Sequence, residues 1–220
     1  MGLSKFLDST PQECSRHLTR LSDAGFIKKD SEGFFEITSY GRAMLSMFPG
    51  IKFLARHKDY FLSHDLTLLP HGFIARIGEL AEGEYVPNVS LVLGDVMNVI
   101  SNAKEYVWFM ADQPILSGSS IDRSLLTKNV QTRLIADQGM PKASLVNLRS
   151  SLKEKFETGL ISKVNFAMAM NEKFAGICFP DLNGQVDFRS GFRGSDAEFH
   201  SWCTGLFLHF WEISEKTIPY

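Results

Sequence analysis

The apolar positions at the front of the chain change spacing several times. Leu3, Phe6 and Leu7 make a short apolar face that ends at Asp8-Ser9-Thr10. Thr10-Pro11-Gln12-Glu13 has a hydroxyl at the cap, a proline where its missing N–H is harmless and a glutamate three past the cap. That arrangement predicts a helix from Pro11. Cys14, Leu18 and Leu21 recur on it at i, i+4 and i+7, and Gly25 supplies a left-handed stop. Phe26 to Lys29 and Phe34 to Thr38 then read as strands around the turn Asp30-Ser31-Glu32-Gly33, and Ser39 caps a further helix.

Pro49-Gly50 is expected to end that helix, and Ile51 to His64 to form another, with Ile51, Leu54, Ala55, Phe61 and Leu62 on its apolar side. From Glu84 the pattern alternates. Strand Glu84 to Val86, helix Val89 to Ala103, strand Tyr106 to Ala111, helix Ile121 to Lys128, strand Val130 to Ala136 and helix Ser144 to Thr158 are predicted in turn. Strands follow at Ile161 to Phe166, Phe166 to Met170, Phe174 to Phe179 and Val186 to Phe188. Tyr106 to Ala111 is apolar throughout, as in a strand buried on both faces of a partly parallel sheet. Ser195-Asp196-Ala197-Glu198 reads as a second capping box, opening a last helix that seals the sheet with Phe199, Cys203, Leu206, Phe210 and Ile213. The expected class is α/β, α+β overall. Three regions are predicted: a head (1–48), a helical connector or dimerisation region (49–80), and an α/β sensory or dimerising body (81–220).

Helix, tight turn, helix and hairpin in that order make a winged helix-turn-helix. At about 100° per residue, Gln12, Arg16, Thr19 and Asp23 fall opposite the apolar stripe of the Pro11 helix, with Ser15 and Arg20 on its flanks. In this architecture the second helix lies in the DNA major groove and the wing touches the backbone. Gln12, Ser15, Arg16, Thr19 and Arg20, with Lys28 and Lys29 of the hairpin, are therefore the candidate DNA-binding residues. A merely solvated helix face is the plainer alternative.

The stretch STPQECSRHLTRLSDAGFIKKDSEGFFEITSYGRAML (9–45) resembles the winged-helix domains of archaeal ArsR-like regulators. The resemblance implies the same recognition helix and wing lysines. Family members carry one more helix ahead of Leu3, so an upstream segment or a partner subunit is expected over Leu3, Phe6, Leu7, Cys14 and Leu18. HDLTLLPHGFIARIGEL (64–80), AKEYVWFMADQPI (103–115) and NEKFAGICFPDLNGQVDFRSGFRGSDAEFHSWCTGLFLHFW (171–211) resemble the body of FilR-type methanogenesis regulators. That resemblance implies a transcription factor with a phospholipase-D-like sensory or dimerising body and no particular ligand. Two-fold operators lead us to expect a homodimer.

Composition refines this picture only slightly. Residues 1–60 carry nine Lys/Arg against seven Asp/Glu, and the remainder fourteen against eighteen, so the front is mildly basic. Cys14, Cys178 and Cys203 are far apart and suggest reduced, buried thiols rather than disulfides or zinc ligands. No apolar run is long enough to cross a bilayer and no signal peptide opens the chain, so a cytoplasmic protein without membrane contact is expected. His57 and His64 would stand two helical turns apart, about 10 Å, too far for one zinc ion, and are expected on the surface.

The tetrapeptides ADQP (111–114) and ADQG (136–139) each follow a buried strand. Asp112, Gln113, Asp137 and Gln138 thus line either a crevice for a small-molecule effector at strand carboxyl ends or two ordinary turns. Phosphodiesterases of the phospholipase D type need an HxKxxxxD spacing that the chain lacks. Arg56-His57-Lys58-Asp59 holds those residue types contiguously, which points them apart on a helix. A regulator that is not an enzyme and needs no cofactor or metal is expected. The alternatives are a winged-helix interaction or ligand-binding module without DNA binding and, further off, a phosphodiesterase-like enzyme.

Overall fold

The computed structural model describes residues 3–113 and 130–216, and the chain divides into two compact units, Met1–Ile51 and Lys52–Tyr220. The first unit holds α1 (Leu3–Phe6), α2 (Pro11–Asp23), β1 (Ile27–Lys29), β2 (Phe35–Ile37) and most of α3 (Ser39–Arg56). Thr10 caps α2 as its spacing predicts: its hydroxyl accepts from the Glu13 amide at 3.2 Å, and the Glu13 carboxylate accepts from the Thr10 amide at 3.1 Å. Gly25, at φ +75°, closes α2 as the Gly25 and Phe26 amides reach back to Ser22 and Leu21. β1 and β2 pair antiparallel, with Lys28 opposite Glu36 and Lys29 opposite Phe35. Their turn is pinned by Asp30, whose carboxylate accepts from the Glu32 and Phe34 amides, each at 2.9 Å.

The expected break at Pro49 is corrected, because α3 runs through the proline to Arg56. An internal proline costs a helix about 3 kcal/mol. Continuing the helix carries Phe53 into the second unit's core, where its ring packs 5.5 Å from Phe61 and 5.0 Å from Phe192. Burying such a ring offsets most of that cost. The helix expected to reach His64 instead breaks at His57 and leaves only α4 (Lys58–Phe61).

After α5 (His71–Ala75) and a single 3₁₀ turn at Ile77–Leu80, the second unit builds one sheet. Its elements are β3 (Glu84–Val86), α6 (Val89–Asn102), β4 (Tyr106–Ala111), β5 (Gln131–Asp137), α7 (Lys142–Leu152), β6 (Phe156–Ile161), β7 (Ala167–Asn171), β8 (Ala175–Cys178), β9 (Gly191–Gly194) and α8 (Ala197–Ile213). The strand order is β3-β9-β8-β7-β4-β5-β6, with β4, β5 and β6 parallel and the other pairs antiparallel. This mixed, partly parallel sheet is the α/β body expected. Alternation along β4 sends Val107 and Phe109 into a core with Val99, Ile100 and Leu145. Met110 joins a separate, aromatic core with Phe53, Phe179, Phe192, Phe199, Trp202 and Phe207.

Several predicted boundaries are corrected. The helix expected to reach Thr158 stops at Leu152, because Phe156 to Ile161 completes a ladder on β5. Ile161 to Phe166 is no strand: β6 ends at Ile161, and the Val164 amide turns to donate to Asp137. Val186 makes an isolated bridge with Pro180, and the strand lies further on, at β9. The last helix is capped by Asp196 rather than Ser195, its carboxylate accepting from the Phe199 amide at 2.9 Å. That places Trp202 and Phe207 inward and leaves Ile213 63% exposed. The helix predicted at Ile121 to Lys128 lies outside the described residues.

β9 begins and ends on glycines, which carry no strand signal, and the sheet requires the first of them. A Cβ on Gly191 would stand 2.4 Å from the Ile177 carbonyl oxygen of β8. Gly191→Ala is expected to destabilise the protein by about 1–3 kcal/mol, because the atom it strikes is backbone, read as a lower denaturation midpoint at unchanged slope.

Candidate nucleic-acid interface

α2 owes its start to the capping box, and the box also favours the charged form of Glu13. Hydrogen bonds from the Thr10 backbone and hydroxyl, joined by the Ser9 hydroxyl, hold its carboxyl below the usual range. A negative charge in the first turn suits the helix dipole. Cys14 is the one buried residue of α2 and Leu18 is half-buried, so the arc opposite them is free.

Gln12, Ser15, Arg16, Thr19 and Arg20 are all exposed on that arc. Among the described residues neither Arg16 nor Arg20 has a hydrogen-bond or ion-pair partner, so both guanidinium forks keep their donors. Thr19 spends its hydroxyl proton on the Ser15 carbonyl at 3.0 Å and keeps its oxygen as an acceptor. Ser15, Thr19, Lys28 and Lys29 line one open groove of about 670 Å³ between helix and hairpin. Gln12, Arg16 and Arg20 do not line it. Ser22, one helical repeat beyond Ser15, shares the groove and was overlooked, although the 3.6-residue period placed it there.

The two lysines differ. Lys28 pairs with Glu36 across the hairpin at 3.0 Å, both groups well exposed, so the pair is weak and exchangeable. The Lys29 ammonium sits 5.3 Å from the Phe35 ring centroid. Glu13, Asp23, Asp30 and Glu36 are the carboxylates beside these residues in sequence and pairing, and they oppose a polyanion.

At the body's other candidate site, Ala111 pairs with Ala136, which puts Asp112 and Asp137 side by side at the carboxyl ends of β4 and β5. Asp137 serves two backbone amides, Gly139 at 2.7 Å and Val164 at 3.0 Å, the work of a turn former. Oδ1 of Asp112 is buried with no partner among the described residues. Burial, aided by the Asp137 charge, raises the Asp112 carboxyl. Gln113 borders an apolar cavity of about 50 Å³ under α6, whereas the side chain of Gln138 is exposed.

The expectation of surface histidines is corrected. A bridge between His64 and Asp181 ties that segment to the body, and the His64 ring stacks on Tyr60 with centroids 3.6 Å apart. Its Nδ1 lies 2.7 Å from the Tyr60 carbonyl oxygen and its Nε2 3.4 Å from Asp187. Burial raises the Asp187 carboxyl, but hydrogen bonds from Arg189 outweigh it and keep the group below the ordinary range. His57 packs edge-on against Phe53 and Phe192, and burial lowers its pKa. Their place in an aromatic cluster carried no periodic signal in the sequence. Cys14, Cys178 and Cys203 are free and buried, and burial pushes the Cys178 thiol up to about 12. Among the described residues no three or more His, Cys, Asp or Glu side chains are placed to hold a metal ion, and no helix is long and apolar enough to cross a membrane.

No family model matches the chain, and no curated protein matches its sequence. In fold it is similar to TrmBL2, an archaeal chromatin protein whose structure shows a novel mode of DNA binding. The two are 12% identical with a TM-score of 0.49, over 94% of this chain and 84% of that one. It is also similar to NucT from Helicobacter pylori, 14% identical with a TM-score of 0.47, over 62% of this chain and 99% of that one. The expectation that the chain is no enzyme does not stand beside this second likeness.

Proposed function

We propose that the chain is a DNA-binding transcriptional regulator that reads duplex DNA with α2 and steadies itself on the backbone with the β1–β2 hairpin, acting as a homodimer in the cytoplasm. The observation that carries this reading is the pair of exposed guanidinium groups of Arg16 and Arg20, unpartnered among the described residues, on a capped helix whose only buried side chain is Cys14. Planar forks of this kind match guanine edges and phosphates in two-point fashion. The resemblances to ArsR-like heads and FilR-type bodies fit the same reading.

Within it, Lys28 and Lys29 meet phosphates and carry no sequence information. Lys28→Ala is therefore expected to weaken binding to all duplexes alike and to flatten the dependence of log K on log salt by about one unit. Fluorescence anisotropy with labelled duplexes at several salt concentrations measures both effects. An unchanged slope would remove the wing from the interface.

A further inference from the structure

The first unit is short of buried apolar surface. Among its described residues Cys14 is the one buried apolar side chain, while Tyr40, Met44, Met47, Phe48 and Ile51 of α3 are 54%, 36%, 64%, 58% and 62% exposed. Leu45, 58% exposed, stands apart from them, but these five are not scattered. At about 100° per residue they fall within an arc roughly 100° wide, and Tyr40, Met44, Met47 and Ile51 follow the 4-3-4 spacing of a helix–helix seam. Between Arg42 and Lys52 the helix carries no charge at all. Single exposed apolar side chains are ordinary, but a contiguous apolar stripe rich in methionine and aromatic residues and empty of charge is the composition of an interface centre.

We propose that this α3 stripe, Tyr40 to Ile51, is the surface on which a second copy of the chain docks. A helix of two-fold symmetry mates its stripe with itself, so no complementary charge is needed and none is present. The half-exposed side chains offer on the order of 500 Å² per copy, about 1,000 Å² in the pair, which reaches the lower limit of a specific interface. Covering the stripe also supplies the burial that a head of this size lacks on its own. The inference gives the dimer of the preceding reading a location, and it can fail while the α2 assignment stands.

Sedimentation velocity on the full chain tests it, with Met47→Glu and Met47→Lys as variants at an exposed position and far-UV circular dichroism to follow the fold. The wild-type chain is expected to sediment as a dimer. Each variant alone should be monomeric, with a dimer dissociation constant raised at least tenfold, and the two mixed should form a dimer again, since opposite charges then meet across the seam. A monomeric wild type, dimers that persist in both single variants, or folded variants that do not recombine would overturn the proposal; the last result would mean that something other than a second copy covers the stripe. Duplex titration of the same samples separates the two readings. Half-site binding that survives in the monomeric variants and depends on Arg16 keeps the α2 assignment, whatever becomes of the dimer.

Discussion

Replacing Arg16 and Arg20 together by alanine is expected to lower affinity for preferred duplex DNA roughly 100-fold, with little change in thermal stability. Each two-point arginine contact with a base is worth about 1–3 kcal/mol, and 1.4 kcal/mol is tenfold in affinity. The small effect on stability follows from the same geometry. Both side chains are exposed, and among the described residues neither is engaged, so their removal breaks nothing within the fold. Anisotropy titrations and thermal melts on one preparation measure the two quantities. A melt lowered along with the affinity would show the arginines holding structure instead of reading DNA. Arg16→Ala alone should also relax discrimination among duplexes, which distinguishes a base contact from a phosphate contact.

Trp202→Ala should give the largest loss of stability, about 3–5 kcal/mol, a substantial part of the total of an ordinary domain. The indole is fully buried in the middle of α8. It packs edge-on against Phe73 at 5.5 Å between centroids, near Phe179 at 6.4 Å, and its N–H donates to the Phe73 carbonyl at 3.1 Å. Alanine removes the ring, opens a cavity and leaves that carbonyl without its donor. Urea denaturation followed by circular dichroism checks this. A loss under 1 kcal/mol would mean that the aromatic core closes over the gap. Trp202→Phe should recover most of the packing but not the hydrogen bond, and so fall between the two.

The parts of this molecule that were legible in advance are those whose signal is local. The cap at Thr10, the stop at Gly25 and the turn at Asp30 each depend on two or three neighbouring residues, and the structure has all three. The apolar run of β4 announced a buried, partly parallel strand for the same reason. Where a long-range contact decides, local signal misleads. Pro49 reads as a stop, yet α3 passes through it to bury Phe53 against Phe192, far along the chain. Gly191 and Gly194 carry no strand signal, yet both lie in β9, and close approach of β8 requires the first of them. His64 looked solvated because Asp187 meets it only after the chain has folded back through Asp181. In the candidate interface, helical period alone placed Arg16, Thr19 and Arg20 on one exposed arc. The Lys28–Glu36 pair needed the hairpin register, which the turn residues did not define closely enough.

Selection from a pool of random duplex DNA by the full chain puts the reading role of α2 to the plainest trial. An enriched sequence is expected, held against excess random competitor and lost, or degraded at specific positions, when Arg16→Ala protein repeats the selection. Recovery of an unenriched pool, or of the same enriched sequence by both proteins, would contradict the assignment of α2 as the element that reads DNA.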